Sequence, residues 1–181
     1  MRIEKAGIAD LMLLHTFCRE LYAENFGDYW VNEGLEWYLN KSFGIEALTA
    51  DLMNHHIYYF LAKESETPIG FMKLKLQASL EGAQGVGMEL EKLYISSERK
   101  NTGIGRRMMD IAWGMGLKEQ VKYIFLEVLD TNEKAISFYK RCGYIEFRRK
   151  KLELANFKDD LRGIWILIKN FKPESTLYDI V

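Results

Sequence analysis

The stretch RKNTGIGRRMMDIAWGM, Arg99 to Met115, places two glycines one residue apart where an apolar helical pattern begins. Ile104, Met108, Ile111, Ala112 and Met115 recur at the spacing of one helix face. Glycine is a poor helix former, so Gly103 and Gly105 act against helix propensity. The first amides of a helix, however, have no partner inside it and carry the positive end of its dipole. A glycine there lets an anionic ligand approach the backbone with no Cβ in the way. The stretch therefore reads as an anion cradle at a strand-to-helix junction. It is neither a nucleotide P-loop, which would end in Gly-Lys-Ser or Gly-Lys-Thr, nor the dinucleotide pattern, which needs glycine where Met108 stands.

Working outward, the flanking segments alternate between strand and helix signals. Before the glycines, MELEKLYIS (Met88–Ser96) reads as a strand of mixed polarity, and QASLEGAQGVG (Gln77–Gly87) as a loop. HIYYFLAKE and TPIGFMKLKL, rich in aromatic and β-branched residues, read as two strands joined by a turn at Ser65–Thr67. MRIEKAG is a short first strand, and Asp10 is placed to cap a helix carrying Leu11, Leu14, Cys18 and Leu21. Two more helical stretches are expected near Gly34–Ser42 and Ile45–Met53. After the glycines, YIFLEVL is an apolar strand, and a helix with Ala135, Phe138, Tyr139 and Cys142 on one face ends at Gly143. YIEFRRKKLEL and GIWILIKNF read as final strands. This mixed α/β order implies a central sheet with helices packed on its faces. One domain over residues 1–170 is expected, with a tail at 171–181 whose role the pattern does not give.

The whole-chain properties fit that picture. The chain has 181 residues, 48% of them hydrophobic and 28% charged, and 25 basic against 26 acidic residues leave a net charge of −1. A general nucleic-acid binder usually carries a basic surplus. Cys18 and Cys142 match no metal-ligand spacing and read as reduced core thiols, and the three histidines form no metal set. The N-terminus has no signal-peptide core and no apolar run reaches the roughly 20 residues of a membrane span. A cytoplasmic location is the default expectation.

The glycine stretch and its surroundings resemble the GNAT superfamily of acyl-CoA-dependent N-acyltransferases. That family's pattern of Gln or Arg, two residues, Gly, one residue, then Gly or Ala is matched by Lys100, Asn101, Thr102, Gly103, Ile104 and Gly105, with Lys100 departing from the usual first residue. NEKAISFYKRCGY (Asn132–Tyr144) is similar to the second signature. ELEKLYI, YAENFGDYW and TPIGFMKLKL look more narrowly like PaiA-type polyamine acetyltransferases. The resemblance implies a single-domain GNAT fold, a mixed sheet with a splayed fourth strand and helices on both faces. It implies acetyl-CoA as donor, no metal, and a primary amine as acceptor, a polyamine or diamine before other amines. Pyrophosphate would sit on the amides from Asn101 to Arg106, the pantetheine arm along Leu93, Tyr94 and Ile95, and the thioester oxygen on the N–H of Leu93 or Tyr94. Asn132 would bond the pantetheine arm or cap its helix, and Arg141 would reach the cofactor's 3′-phosphate. The partners implied are the cofactor and a small amine, with no nucleic acid and no membrane; a homodimer stays open. Rival readings are transfer to a protein N-terminus or lysine, or a non-catalytic acyl-CoA-binding regulator.

Three sets of side chains carry the expected chemistry. Tyr139 fills the family's Phe-Tyr slot, where a phenol can protonate the departing thiolate. Glu89 and Glu91 share one face of their strand and are candidates for the base, the resemblance favouring Glu89 because its distance to the glycines matches the family's base position; the alternative is a strand glutamate paired to Lys73 or Lys75. A base has work to do: an amine of pKa about 10.4 is neutral about once in 2,500 molecules at pH 7, a penalty of about 4.6 kcal/mol. Finally, Glu20–Glu36 holds five acids and no Lys or Arg, interleaved with Tyr22, Phe26, Tyr29 and Trp30. Asp28, Glu33 and Glu36 are the expected ammonium partners, supported by cation–π faces.

Overall fold

The computed structural model describes residues 1–171. Seven strands form one sheet in the order β1-β2-β3-β4-β5-β7-β6. They are β1 (Arg2–Lys5), β2 (Ile57–Glu64), β3 (Thr67–Ala78), β4 (Gly87–Ile95), β5 (Tyr123–Leu129), β6 (Ile145–Lys151) and β7 (Gly163–Asn170). All neighbours are antiparallel except β4 and β5. Helices α1 (Leu11–Phe26), α2 (Gly34–Phe43) and α3 (Ile45–Met53) cover one face. Helices α4 (Ile104–Lys118) and α5 (Glu133–Arg141) cover the other. Among the described residues no helix is long and apolar enough to cross a membrane.

The two faces bury separate apolar clusters. Ile104, Met108, Ala112 and Tyr139 pack on Met72, Met88 and Leu90; Leu14, Cys18, Leu21 and Phe43 pack on Tyr59, Leu61 and Phe71. Both cysteines are free and buried, as their isolation in the sequence suggests. Phe171, the last described residue, packs on this unit: its N–H donates to the Lys122 carbonyl at 3.0 Å and its ring stacks on Trp113 at 3.9 Å. The rest of the expected tail lies outside the described residues.

Two backbone irregularities position the site. First, β4 and β5 are paired only from Gly87 to Glu89, so Leu90 to Ile95 run on without a β5 partner and the sheet splays open. Second, Lys73 faces Lys92 while Leu74 faces Leu90, which makes Glu91 the extra residue of a β-bulge. Before the bulge, Met88 and Leu90 face α4. After it the phase shifts, and Leu93 and Ile95 take that face. Lys92, which strict alternation puts beside Leu90, joins Glu91 on the opposite face instead. One further local difference concerns Asp10. It heads α1 but its carboxylate accepts from the Gly7 N–H at 3.0 Å, closing the preceding turn rather than capping the helix.

Candidate active site

The splay opens a cleft of about 670 Å³ that reaches both faces of the sheet. On the α4/α5 face it is walled by the end of β4, the glycine loop, the first turn of α4 and the length of α5. On the other face it is walled by α1, α2 and the loop after β6.

The glycine loop is held by two residues in left-handed conformation, Asn101 at φ 65° and Gly103 at φ 86°. The first α4 amide with a helical acceptor is that of Arg107, bonded to the Gly103 carbonyl at 3.1 Å, so the amides of Ile104, Gly105 and Arg106 precede the helical ladder. The two glycines do different jobs. Gly103 supplies the positive φ and has open space where a Cβ would stand. A Cβ on Gly105 would lie 3.1 Å from Phe138 and 3.3 Å from Ile95, so this glycine lets α4 close onto both β4 and α5. Gly103, Gly105, Lys100, Asn101 and Arg106 line the cleft; the side chains of Thr102 and Ile104 do not, and Ile104 is core. Thr102 donates to the Arg99 carbonyl at 2.7 Å and Lys100 to Asn25 at 2.9 Å, tying the loop to itself and to α1.

Leu93, Tyr94 and Ile95 all line the cleft, but their backbones differ. Ser96 N–H bonds the Ile69 carbonyl on the β3 side at 3.0 Å. Alternation of an antiparallel ladder then directs Tyr94 and Lys92 toward β3, and the N–H and C=O of Leu93 and Ile95 toward the gap. Of the two oxyanion candidates named from the sequence, Leu93 presents its amide to the cleft and Tyr94 does not. The Tyr94 ring instead packs with Phe26 and Tyr22 on the far face.

At α5, Asn132 caps the helix by accepting from the Ala135 N–H at 3.2 Å, and it also lines the cleft with its amide donor uncommitted to that bond. Tyr139 and Arg141 line the same wall. Burial pushes the Tyr139 phenol above its ordinary value, so it stays protonated through physiological pH.

The two glutamates separate. Glu91 lines the cleft and Glu89 does not. Glu91 accepts from Lys92 and Lys73 at 3.0 Å each. Lys73 also pairs with Asp51 at 2.8 Å, and Tyr59 donates to Asp51 at 2.8 Å. Burial alone would raise the Glu91 carboxyl, but Lys92 and Lys73 outweigh it and hold it below the ordinary glutamate value. Glu89 has the opposite balance: burial and then repulsion from Glu91 raise it, against a smaller effect of Lys75.

Asp28, Glu33 and Glu36 are not brought into the cleft. All three are exposed, and Glu36 is paired with Arg19 at 2.6 Å. The helical twist of the segment points its aromatics inward and its acids out. Tyr22, Phe26 and Tyr38 form the wall, joined by Phe157 from the loop after β6. Tyr22 and Tyr38 stack at 4.5 Å, and Phe157 meets Trp30 edge-on at 5.0 Å. That loop is fixed by backbone bonds from Val31 to Asn156 at 2.8 Å and from Lys158 to Tyr29 at 2.9 Å. Sequence reasoning missed Tyr38, Phe157, Asn25, Lys92 and Glu127, all of which line the cleft. Lys134, also missed, stands two residues into the second signature and was the one with a local signal.

Comparisons with known proteins agree with this geometry. The chain belongs to the acetyltransferase (GNAT) family, whose sequence model matches residues 13–144. A relative named as an uncharacterized N-acetyltransferase in the pepI 3′ region of Lactobacillus delbrueckii subsp. lactis is 24% identical over 148 residues, 81% of this chain and 86% of the relative. The crystal structure of the PaiA N-acetyltransferase from Thermoplasma acidophilum in complex with coenzyme A matches with a TM-score of 0.75 at 23% identity, over 94% of this chain and 100% of that one. A mutant of the spermidine N-acetyltransferase SpeG from Vibrio cholerae matches with a TM-score of 0.66 at 16% identity, over 93% and 92%. At such identities the solved structures show the fold, a mixed seven-stranded GNAT sheet with helices on both faces.

Proposed function

We propose that this acetyltransferase moves an acetyl group from acetyl-CoA to a primary amine by direct attack in the gap between β4 and β5. The observation that carries this is the splay itself: it brings uncommitted backbone of β4, the first amides of α4 and the Tyr139 phenol to one wall of a cleft that opens to both faces. In this reading the diphosphate rests on the amides of Ile104, Gly105 and Arg106. The pantetheine arm runs along Leu93 and Ile95, with the Asn132 amide as a further donor. Arg141, with Lys134, faces the 3′-phosphate. The Leu93 N–H holds the thioester oxygen as negative charge develops.

The amine approaches from the aromatic face. Attack forms the new C–N bond, the C–S bond breaks, the thiolate takes a proton from Tyr139, and the extra proton of the new amide nitrogen returns through water to the Tyr139 phenolate. A phenol raised above its normal pKa gives up that proton only to a base that is itself poorly solvated, which a thiolate in this cleft is. Before it attacks, the ammonium loses its proton through water to Glu91, which its two lysines keep ionised. Glu89, off the cleft wall, backs this position rather than meeting the amine.

For the acceptor, the proposed class is a polyamine or diamine. Aromatic faces from Tyr22, Phe26, Tyr38 and Phe157, with the carboxylates of Glu91 and Glu127, suit an alkylammonium chain. The fold neighbours named PaiA and spermidine N-acetyltransferase are in keeping with that class. The test is thiol release from acetyl-CoA with spermidine, a diamine, a monoamine and a peptide N-terminus. Turnover highest with spermidine or the diamine supports the class; turnover with the peptide alone replaces it, and none with any amine contradicts the reaction.

A further inference from the structure

The loop after β6, residues 152–162, is tied down at its neck, at its far end and from inside. The Leu152 N–H closes the neck by donating to the Arg162 carbonyl at 2.7 Å. At the far end Phe157 pairs with Trp30 in an isolated antiparallel bridge to the connection between α1 and α2. The bonds flank that pair, from the Val31 N–H to the Asn156 carbonyl at 2.8 Å and from the Lys158 N–H to the Tyr29 carbonyl at 2.9 Å. This is the antiparallel arrangement that brings facing side chains closest. From inside the loop, Arg162 donates through Nε and Nη2 to the Phe157 carbonyl at 3.0 and 2.8 Å. Its other partner, Asp159 at 3.1 Å, is largely exposed, and an exposed pair of this kind adds little. Gly34 completes the fit from the other element. A Cβ there would stand 2.5 Å from the Asn156 Cβ and 2.8 Å from the Trp30 ring. The Gly34 backbone is not left-handed, so room rather than conformation is what this glycine supplies.

We infer that this loop is a fixed strap that sets the width of the acceptor half of the cleft, with Arg162 as its positioning residue and Gly34 as the socket on which it docks. The inference rests on the acceptor reading given above. Arg162 does not line the cleft and acts through Phe157; Leu152, Leu154 and Phe157 of the strap do line it, joined by Leu129 from the end of β5. This part of the wall is apolar, so it meets the hydrocarbon part of the acceptor while Glu91 meets its amine. Removing the guanidinium leaves the Phe157 carbonyl without its partner and the strap without its inner brace. A wall braced at the backbone yields little, which turns width into selection: an unbranched chain beside the amine is taken and a branched one is refused. One methylene-sized difference against such a wall discriminates about 10–200-fold.

The test compares wild type with Arg162→Met, Arg162→Lys and Gly34→Ala. Calorimetry measures spermidine, and a spermidine carrying a methyl branch beside each terminal amine, binding to the full chain saturated with coenzyme A. This readout needs no acetyl transfer. Wild type should prefer the unbranched amine at least about tenfold. In Arg162→Met and Gly34→Ala the preference should fall to within about threefold, while coenzyme A affinity stays within about twofold of wild type. Arg162→Lys keeps one donor for the carbonyl and should retain most of the preference. Hydrogen exchange reports the anchoring itself: the Val31 and Lys158 amides should lose protection at least about tenfold in Arg162→Met and Gly34→Ala, and keep it in Arg162→Lys. A merely structural role would weaken donor and acceptor alike and leave the preference between the two amines unmoved. Protection lost with the preference intact overturns the strap's role in selection, and protection kept in Arg162→Met overturns Arg162 as its positioning residue. Both of those results leave the proposed reaction standing, which thiol release decides separately. A wild type that binds neither amine overturns the acceptor reading and the selection together.

Discussion

The two halves of the cleft are built by different means. On the α4/α5 face the groups proposed to hold the donor are mainly backbone: the amides at the head of α4 and the β4 edge at Leu93 and Ile95. Their position depends on Gly103, Gly105 and the splay, and little on which polar side chains surround them. On the other face the groups are side chains, with aromatic rings from α1, α2 and the Phe157 loop above a buried ion network of Asp51, Lys73, Glu91 and Lys92. A backbone site recognises what every donor molecule shares. A side-chain site can change its ligand by single substitutions, which is where acceptor specificity is expected to reside.

The largest effect that would sharpen this contrast is at Tyr139, where the halves meet. Tyr139→Phe should lower single-turnover acetyl transfer about 10²–10⁴-fold while acetyl-CoA still binds. Full rate with an unchanged pH profile would make Tyr139 a packing residue. Next is Gly103→Val. The left-handed backbone at φ 86° disfavours any β-branched residue, and the side chain would stand over the cradle. Calorimetry should show acetyl-CoA affinity reduced at least about tenfold, with the amine KM little changed. Phe26→Leu makes the reciprocal test. Loss of one cation–π face should raise the amine KM about two- to thirty-fold and leave cofactor affinity alone. An equal effect on both ligands would erase the division between the halves.

A smaller effect is the acid response of the ion network. The folded pKa of Glu91 is held below the ordinary glutamate value, so its stabilising contribution is present above that ordinary value and is lost as pH falls through the folded one. Glu89 acts in the opposite sense, because its raised folded pKa makes protonation a relief. Urea unfolding between about pH 6 and about pH 3 should therefore show a steeper acid loss in Glu89→Gln and a shallower one in Glu91→Gln. The smallest effect belongs to the exposed acids. Replacing Asp28, Glu33 and Glu36 by their amides should leave the amine KM within about twofold. A large rise would return those residues to the acceptor site.

The same contrast explains what the sequence made legible. The donor half is local in the chain: glycines at a helix start and an Asn-to-Gly-aromatic helix are readable as spacing. The acceptor half is not. Phe157 reaches Trp30 across more than a hundred residues, through a loop that starts where the sequence pattern still reads strand, at Leu152–Leu154, and then runs on with no pattern of its own. The acids of Glu20–Glu36 were visible, but composition alone does not say which side of a helix meets the cleft. Lys92 was hidden by the bulge at Glu91, because strict alternation puts it on the wrong face.

The central claim is that acetyl-CoA lies on the α4 amides and the β4 edge. Titrating acetyl-CoA into isotope-labelled protein and following backbone amide resonances tests it residue by residue. The account predicts that the amides of Leu93, Ile104, Gly105 and Arg106 shift together and saturate at one affinity. Saturation with those four amides unmoved would contradict it.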